Sequence, residues 1–349
     1  MASEELSSRE RRVLEAVIRS YVETAEPAGS RTLSRRFGLG VSPATIRNTM
    51  SDLEEKGFLL HPHTSAGRVP TNKAYRAYVD ALLSRPPIKT VGTERLAEEI
   101  TGGYGSSPIE TILRRAAQTL GVLTQELGVA LGPRLDLSTL RRLELVRVSS
   151  ERLLMVLTLD GGVMRTVFVE MPGEIADIAI SGVTAVLNER LAGLTLAQIR
   201  TSLPARLRDA GTDAEGTGLL NIFLQEGEQL FDAALPMSDG QVVLGAASVL
   251  AEQPEFSGAD RLRRLLALTE TPESLGDTIR RRVHAPGISI TIGAEHDDPR
   301  LEDFTVVTAE YHVGALAGVI GVIGPTRMSY EKVISLVSHT SQLLSDLLD

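Results

Sequence analysis

The chain has 349 residues, 42% of them apolar, a formal net charge of −9 and no cysteine. That length suits two to three domains with buried cores, while the missing cysteines exclude a disulfide framework and thiolate metal sites, and no apolar run approaches a membrane span or a secretory segment, so a cytoplasmic protein is expected. The charge is split, with 14 Lys and Arg against 10 Asp and Glu over residues 1–90 and 22 against 35 over the rest, a weakly basic head that suits phosphate contact on an acidic body that limits indiscriminate binding.

The first predicted element is an amphipathic helix. Ser7 and Glu10 stand three apart as a capping box, and Val13, Leu14, Val17, Ile18, Tyr21 and Val22 recur at helical spacing. Glu26 to Gly29 breaks the pattern, and Ser30 is the expected N-cap of a short second helix from Arg31 to Phe37 with Leu33 inward. After a turn over 37–41, Ser42 as N-cap and Pro43 at the first helical position open a third helix that reaches Lys56, with Gly57 just beyond. Ile46, Met50 and Leu53 form its apolar stripe, so Ala44, Asn48 and Ser51 point away from the core with Thr45 and Arg47 flanking. Phe58 to Leu60 then reads as a strand, His61 to Gly67 as a wing tip, Arg68 to Pro70 as the return, and Thr71 as the cap of a helix bearing Lys73, Tyr75, Arg76 and Tyr78.

Helix, turn, helix and wing in this order predict a winged helix-turn-helix on DNA. Asn can be bidentate to adenine and Arg to guanine, and Ala or Thr methyls can meet thymine methyls, all from the N-terminal half of a helix docked in the major groove. The expected DNA-binding set is Ser30, Arg31, Ser42, Ala44, Thr45, Arg47, Asn48, Ser51, His63, Thr64, Arg68, Lys73 and Arg76, the wing and fourth-helix members serving phosphate contact. A three-helix bundle with a solvated polar face is the competing reading. A winged helix that binds protein would show an apolar patch where Arg47 and Asn48 stand.

Residues 84–93, with Pro86 and Pro87, read as a semi-rigid linker that ends a 1–83 head. Helices are predicted near 94–100 and from Pro108 to Leu127, followed by antiparallel strands at 141–148, 153–159 and 163–171, the last two joined by Asp160-Gly161-Gly162. Late strands are expected at 288–292, 304–311 and 315–323, with a largely helical stretch between about 175 and 275. One sheet built from both strand sets, flanked by an opening helix and by the C-terminal helix, would make an α+β domain. The seam of Val333, Val337, Thr340, Leu344 and Leu347, widened by Ile334, Leu343 and Leu348, suits packing on that sheet.

Other chemistry is thinly represented. Gly321 and Gly324-Pro325-Thr326-Arg327 could approach an anion, although a Gly-rich strand end before Pro is more often tight packing and a helix entry. His61 and His63 lack a third metal ligand, Asp297-Asp298 before Pro299 reads as a hairpin loop, and Arg280-Arg281-Arg282 reads as a solvated or interface-facing helix end. No cofactor or metal is expected. No phosphate-binding Walker loop, Gly-x-Ser-x-Gly elbow, His-Glu-x-x-His helix or cysteine nucleophile occurs, so an enzyme is not expected.

The runs Val41 to Met50, Leu53 to Gly57, Pro62 to Thr71 and Tyr75 to Asp80, together with Ile292 to Glu295, Gly321 to Met328 and Tyr330, resemble the HrcA family of bacterial heat-inducible transcription repressors over the whole chain. His296, where that family usually carries Asn, departs from the pattern. The resemblance implies an α+β, multidomain chain: a winged helix-turn-helix, then a GAF-like antiparallel-sheet domain (94–171 and 237–349) interrupted by an inserted dimerisation domain (172–236). It further implies a homodimer on an inverted-repeat operator of the CIRCE type, control of chaperone genes, and a GroEL-type chaperonin as modulator, with heat or chaperonin titration relieving repression. A GAF-like domain that senses a small ligand, or a chaperone-interacting scaffold without specific DNA binding, are the alternatives.

Overall fold

The computed structural model describes residues 6–62, 67–85, 93–101, 109–133, 135–160, 163–208, 214–233, 242–270, 272–280, 287–314 and 316–348. The head opens with α1 (Ser8–Thr24), and its capping box is formed: Ser7 N–H donates to Glu10 at 2.8 Å and Glu10 N–H to Ser7 Oγ at 3.3 Å. Next come α2 (Ser30–Arg36), α3 (Pro43–Glu55), β1 (Leu59–Leu60), β2 (Val69–Pro70) and α4 (Asn72–Leu83). The strands pair antiparallel with Leu59 opposite Pro70 and Leu60 opposite Val69. Beyond the wing tip, Arg68 exchanges backbone hydrogen bonds of 2.9 and 3.0 Å with Ala28, so the return strand is also tied to the loop before α2. Gly67 is required for that approach, since a Cβ there would lie 2.3 Å from the Ala28 carbonyl oxygen.

The body starts with α5 (Thr93–Thr101), α6 (Ile109–Thr124) and β3 (Leu127–Leu131). After an insertion it resumes with β7 (Val242–Leu244), α10 (Ser248–Ala251), α11 (Ala259–Glu270), α12 (Pro272–Arg280), β8 (Ile288–Ile292), β9 (Phe304–Val313), β10 (Leu316–Pro325) and α13 (Tyr330–Leu348). Its antiparallel sheet runs β7-β3-β10-β9-β8. One face of that sheet is covered by α6 and α13, and this core continues without a break into the head: Val17, Ile18, Tyr75 and Val79 belong to the same buried cluster as Leu120, Val307, Tyr330 and Val337.

The insertion carries β4 (Leu140–Arg147), β5 (Arg152–Leu159), β6 (Met164–Glu170), α7 (Asp177–Leu191), α8 (Leu196–Leu207) and α9 (Ala214–Ala233). The expectation of a single sheet is corrected here. The early strands form their own sheet, ordered β4-β5-β6, whose inner face packs on α7–α9 in a separate core drawn from residues between Leu135 and Phe231. The unexpected strand β3 fills the place beside β10. The free edge of β4 is closed by Asn188 of α7, which accepts from Leu143 N–H at 2.8 Å and donates to its carbonyl at 2.7 Å. The self-contained unit therefore begins near residue 135 rather than at 172, the start expected for the insertion.

Candidate nucleic-acid interface

The geometry of the site begins with how α3 is started and held. Ser42 Oγ accepts from Thr45 N–H at 3.2 Å and meets Thr45 Oγ1 at 3.0 Å, so the cap consumes both side chains while Pro43 sets the first turn. Ile46, Thr49, Met50 and Leu53 are buried on the inner side. Ala44, Arg47 and Asn48 are exposed on the outer side, with Thr45 and Ser51 half-buried at its margins. Ser51 Oγ donates back to the Arg47 carbonyl at 3.3 Å, which leaves Arg47 and Asn48 as the long polar side chains of this face. Neither has an intramolecular partner among the described residues, as a group awaiting base edges requires.

α2, which packs on α3, adds further exposed cations. Its N-cap is Gly29, not Ser30 as expected; Ser30 is the first helical residue and is buried at 8% exposure, so it cannot meet a ligand. Arg31 is exposed without a partner among the described residues, and so is Arg35 one turn later. Arg35 is absent from the expected set, although its i, i+4 spacing from Arg31 on a short helix is a usable signal.

The remaining expected cations are engaged within the molecule, although Lys73 itself stays exposed. Arg68 pairs with Glu54 of α3 at 2.7 Å, its side chain only 18% exposed. Lys73 Nζ donates to the carbonyl of Lys56, the C-cap of α3, at 2.7 Å and lies 4.4 Å from the centre of the Phe58 ring, a cation placed favourably at a helix end and over an aromatic face. Arg76 Nε donates to Glu295 at 2.7 Å, and its Nη2 to the Ile290 carbonyl at 2.7 Å. Burial opposes the Glu295 charge, yet the Arg76 and Ile292 hydrogen bonds outweigh it and hold the carboxyl below its usual range. These three residues tie the wing strands and α4 in place through intramolecular contacts. His63 and Thr64 lie outside the described residues.

The possible anion cradle at the end of β10 is packed shut. A Cβ at Gly321 would overlap the Val307 carbonyl, Gly324 abuts the Glu126 carboxyl, and Arg327 is bound to Glu255 and to the Val22 carbonyl. The sheet face away from α13 is occupied by stacked Phe256 and Phe304, centroids 5.7 Å apart, among Leu265, Leu268 and Leu301. His296 is buried there with Nε2 3.1 Å from the Phe304 carbonyl. Asp298 caps the turn over Pro299–Leu301 and pairs with Arg300. Among the described residues no group of three metal-ligating side chains gathers, and no helix is long and apolar enough to cross a membrane.

The family model for the HrcA protein C-terminal domain matches residues 110–334. Heat-inducible transcription repressors HrcA from Chlorobium phaeobacteroides (strain BS1) and Geobacter sulfurreducens are 39% and 37% identical to the chain, each alignment covering 99% of both partners. A crystal structure of a hypothetical protein shares the fold with a TM-score of 0.68 at 23% identity, covering 99% of each chain.

Proposed function

The chain belongs to the HrcA family of heat-inducible transcription repressors, and we propose that it represses by binding an inverted-repeat, CIRCE-type operator of chaperone genes in the cytoplasm as a homodimer. It is a transcription repressor and not an enzyme. The observation that carries the DNA reading is the outer face of α3, where Arg47 and Asn48 stand exposed and unpaired among the described residues, with Arg31 and Arg35 likewise exposed on α2, which packs on α3. A docked recognition helix reaches base edges with only about three or four side chains, too few for an operator, so a two-fold repeat in the DNA calls for a two-fold protein.

The outer face of the inserted sheet supports pairing of two copies. Val146 of β4, Leu154 of β5 and Phe168 of β6 lie side by side in register, and Val146, Val148, Met164 and Phe168 are 48–66% exposed. A contiguous apolar strip of this kind marks an interaction surface, and a second copy presents the identical strip. Heat induction, carried in the description of the relatives, supports repression by the folded dimer and relief when heating, or titration of a GroEL-type chaperonin that maintains it, depletes that dimer.

The test is mass and operator affinity together. Light scattering should give about twice 37.6 kDa for the parent and a folded monomer with weakened operator binding for the double variant Val146→Glu, Phe168→Glu. A parent that is monomeric at concentrations that saturate the operator, or a double variant that stays dimeric, contradicts this reading.

A further inference from the structure

The C-terminal sequence signature is spent on holding the DNA-binding head. Arg327 Nη2 pairs with Glu255 at 2.9 Å in a bond where both side chains are about 15% exposed, and its Nη1 donates to the Val22 carbonyl in the last turn of α1 at 2.6 Å. A cation at that position completes a helix end that lacks its own partners. Tyr330 is fully buried with its ring centre 5.7 Å from Tyr75 and 6.4 Å from Tyr78, both on α4. Glu331 accepts from Arg19 of α1 at 2.9 Å. On the other side of α4, Glu295 takes the Arg76 fork, and Gly293 sits so close that a Cβ would fall 2.1 Å from Asn72 Nδ2 at the start of that helix. Two ion pairs and the Arg327 hydrogen bond to α1 thus surround one aromatic contact, and all three bind α1 or α4; α3, by contrast, packs within the head on α1, α2 and β1.

This arrangement fixes the direction of α3 relative to the body without touching α3. In a dimer the distance and angle between two recognition helices are then set by the two bodies, not by chain connectivity, and an operator whose half-sites are one base pair too close or too far is turned by about a tenth of a helical turn out of reach. Heads tethered by connectivity alone would accept a range of spacings. We propose that Glu295, Glu331 and the Glu255–Arg327 pair are positioning residues that select the half-site spacing of the operator through the angle at which they hold the head. The proposal rests on the dimeric, inverted-repeat reading above.

The experiment is a set of duplexes in which two half-sites selected by the parent are separated by spacers varied one base pair at a time over a helical turn, with a single half-site as control. The probe protein is the full chain, as the parent and as the Glu295→Ala, Glu331→Ala double variant. The altered acids lie on the body at partly exposed positions, 38% and 41% in side-chain exposure. The parent should favour one spacer by about tenfold or more. The double variant should flatten that preference to about threefold or less, with dimer mass and single half-site affinity unchanged. The Glu331→Ala single variant should lose part of the preference, and the charge-exchanged pair Arg19→Glu, Glu331→Arg should keep more of it than that single variant does. A double variant that keeps the parent's spacer profile, or one whose half-site and full-site affinities fall in parallel, overturns the proposal. A parent that shows no spacer preference overturns the inverted-repeat reading and this inference with it.

Discussion

On α2 and α3 the guanidinium groups of Arg31, Arg35 and Arg47 stand exposed without a partner among the described residues, whereas on α1 and α4 those of Arg19 and Arg76 are bound to Glu331 and Glu295 of the body. Both sets belong to the same weakly basic head. The acidic body neutralises the arginines it touches and leaves the others to face outward, so the electrostatic footprint of this head is narrower than its net charge implies. One face is free to meet phosphate and base edges; the other has already met its carboxylates.

The largest expected loss follows removal of the support beneath the docked face. Truncation before Ser329 removes Tyr330, Val333, Leu336, Val337 and Leu344, each at most 1% exposed and worth about 1.5–3 kcal/mol of burial. Their sum is comparable to the roughly 5–15 kcal/mol that stabilises a domain. The truncated chain should lack a cooperative unfolding transition by circular dichroism; a cooperatively folded product would mean that α13 is peripheral.

Next in size are the readers themselves. Arg47→Ala and Asn48→Ala should each cost about 1–3 kcal/mol of specific binding while random-sequence DNA is bound nearly as before. Equal operator affinity in both variants, measured by titration at fixed salt, would remove α3 from the base edges.

The two faces can be separated by salt. Arg31→Ala and Arg35→Ala should weaken operator and random DNA alike and lower the slope of log affinity against log salt by about one unit each if each makes one phosphate contact. Arg68→Ala and Arg76→Ala should leave the slope within error of the parent's, because Glu54 and Glu295 already hold those cations. A slope lowered by Arg76→Ala and untouched by Arg35→Ala would reverse the assignment of the faces.

The smallest effect concerns the foundation of α3. Glu10 on α1 meets Lys56, the C-cap of α3, at 2.7 Å, and the Lys56 hydrogen bond, with help from Ser7, holds its carboxyl at about 2 instead of 4.5. A carboxyl depressed in the folded chain contributes stability that is present above the unfolded value and is lost as pH falls toward the folded one. The parent should therefore unfold at higher temperature than Glu10→Gln near pH 6, and the gap should close between pH 4.5 and about 2. A gap that is constant across that range would show that the pair contributes through packing and not through charge.

The head was legible because its signals are local. Ser7 with Glu10, Ser42 with Pro43, and Thr71 each cap a helix within three residues of themselves, and the inward stripe of α3 follows from spacing alone. The body was less legible. The strand β3 has no counterpart among the predicted elements: the helix predicted over 108–127 runs into its first residue, since the turn between them is made by Gln125 at φ 65°, where no glycine or proline marks the break. Once β3 was missed, β4–β6 were assigned to the wrong sheet: alternation shows that a strand has one buried face, not which core buries it. The candidate site divided along the same line. Exposure of Arg47 and Asn48 follows from helical period, but the fate of Arg76 depends on Glu295, 219 positions away, and nothing within the head's own sequence announces that partner.

The central claim is that two copies of the α2–α3 face read a two-fold operator. Selection of bound sites from random duplex DNA by the purified full chain tests it most directly, run beside the Arg47→Ala, Asn48→Ala double variant. Inverted repeats at one spacing are expected for the parent, with that consensus lost in the variant although both proteins still retain DNA at low salt. Enrichment of single, unrepeated sites by the parent, or recovery of the same inverted repeat by the variant, would contradict it.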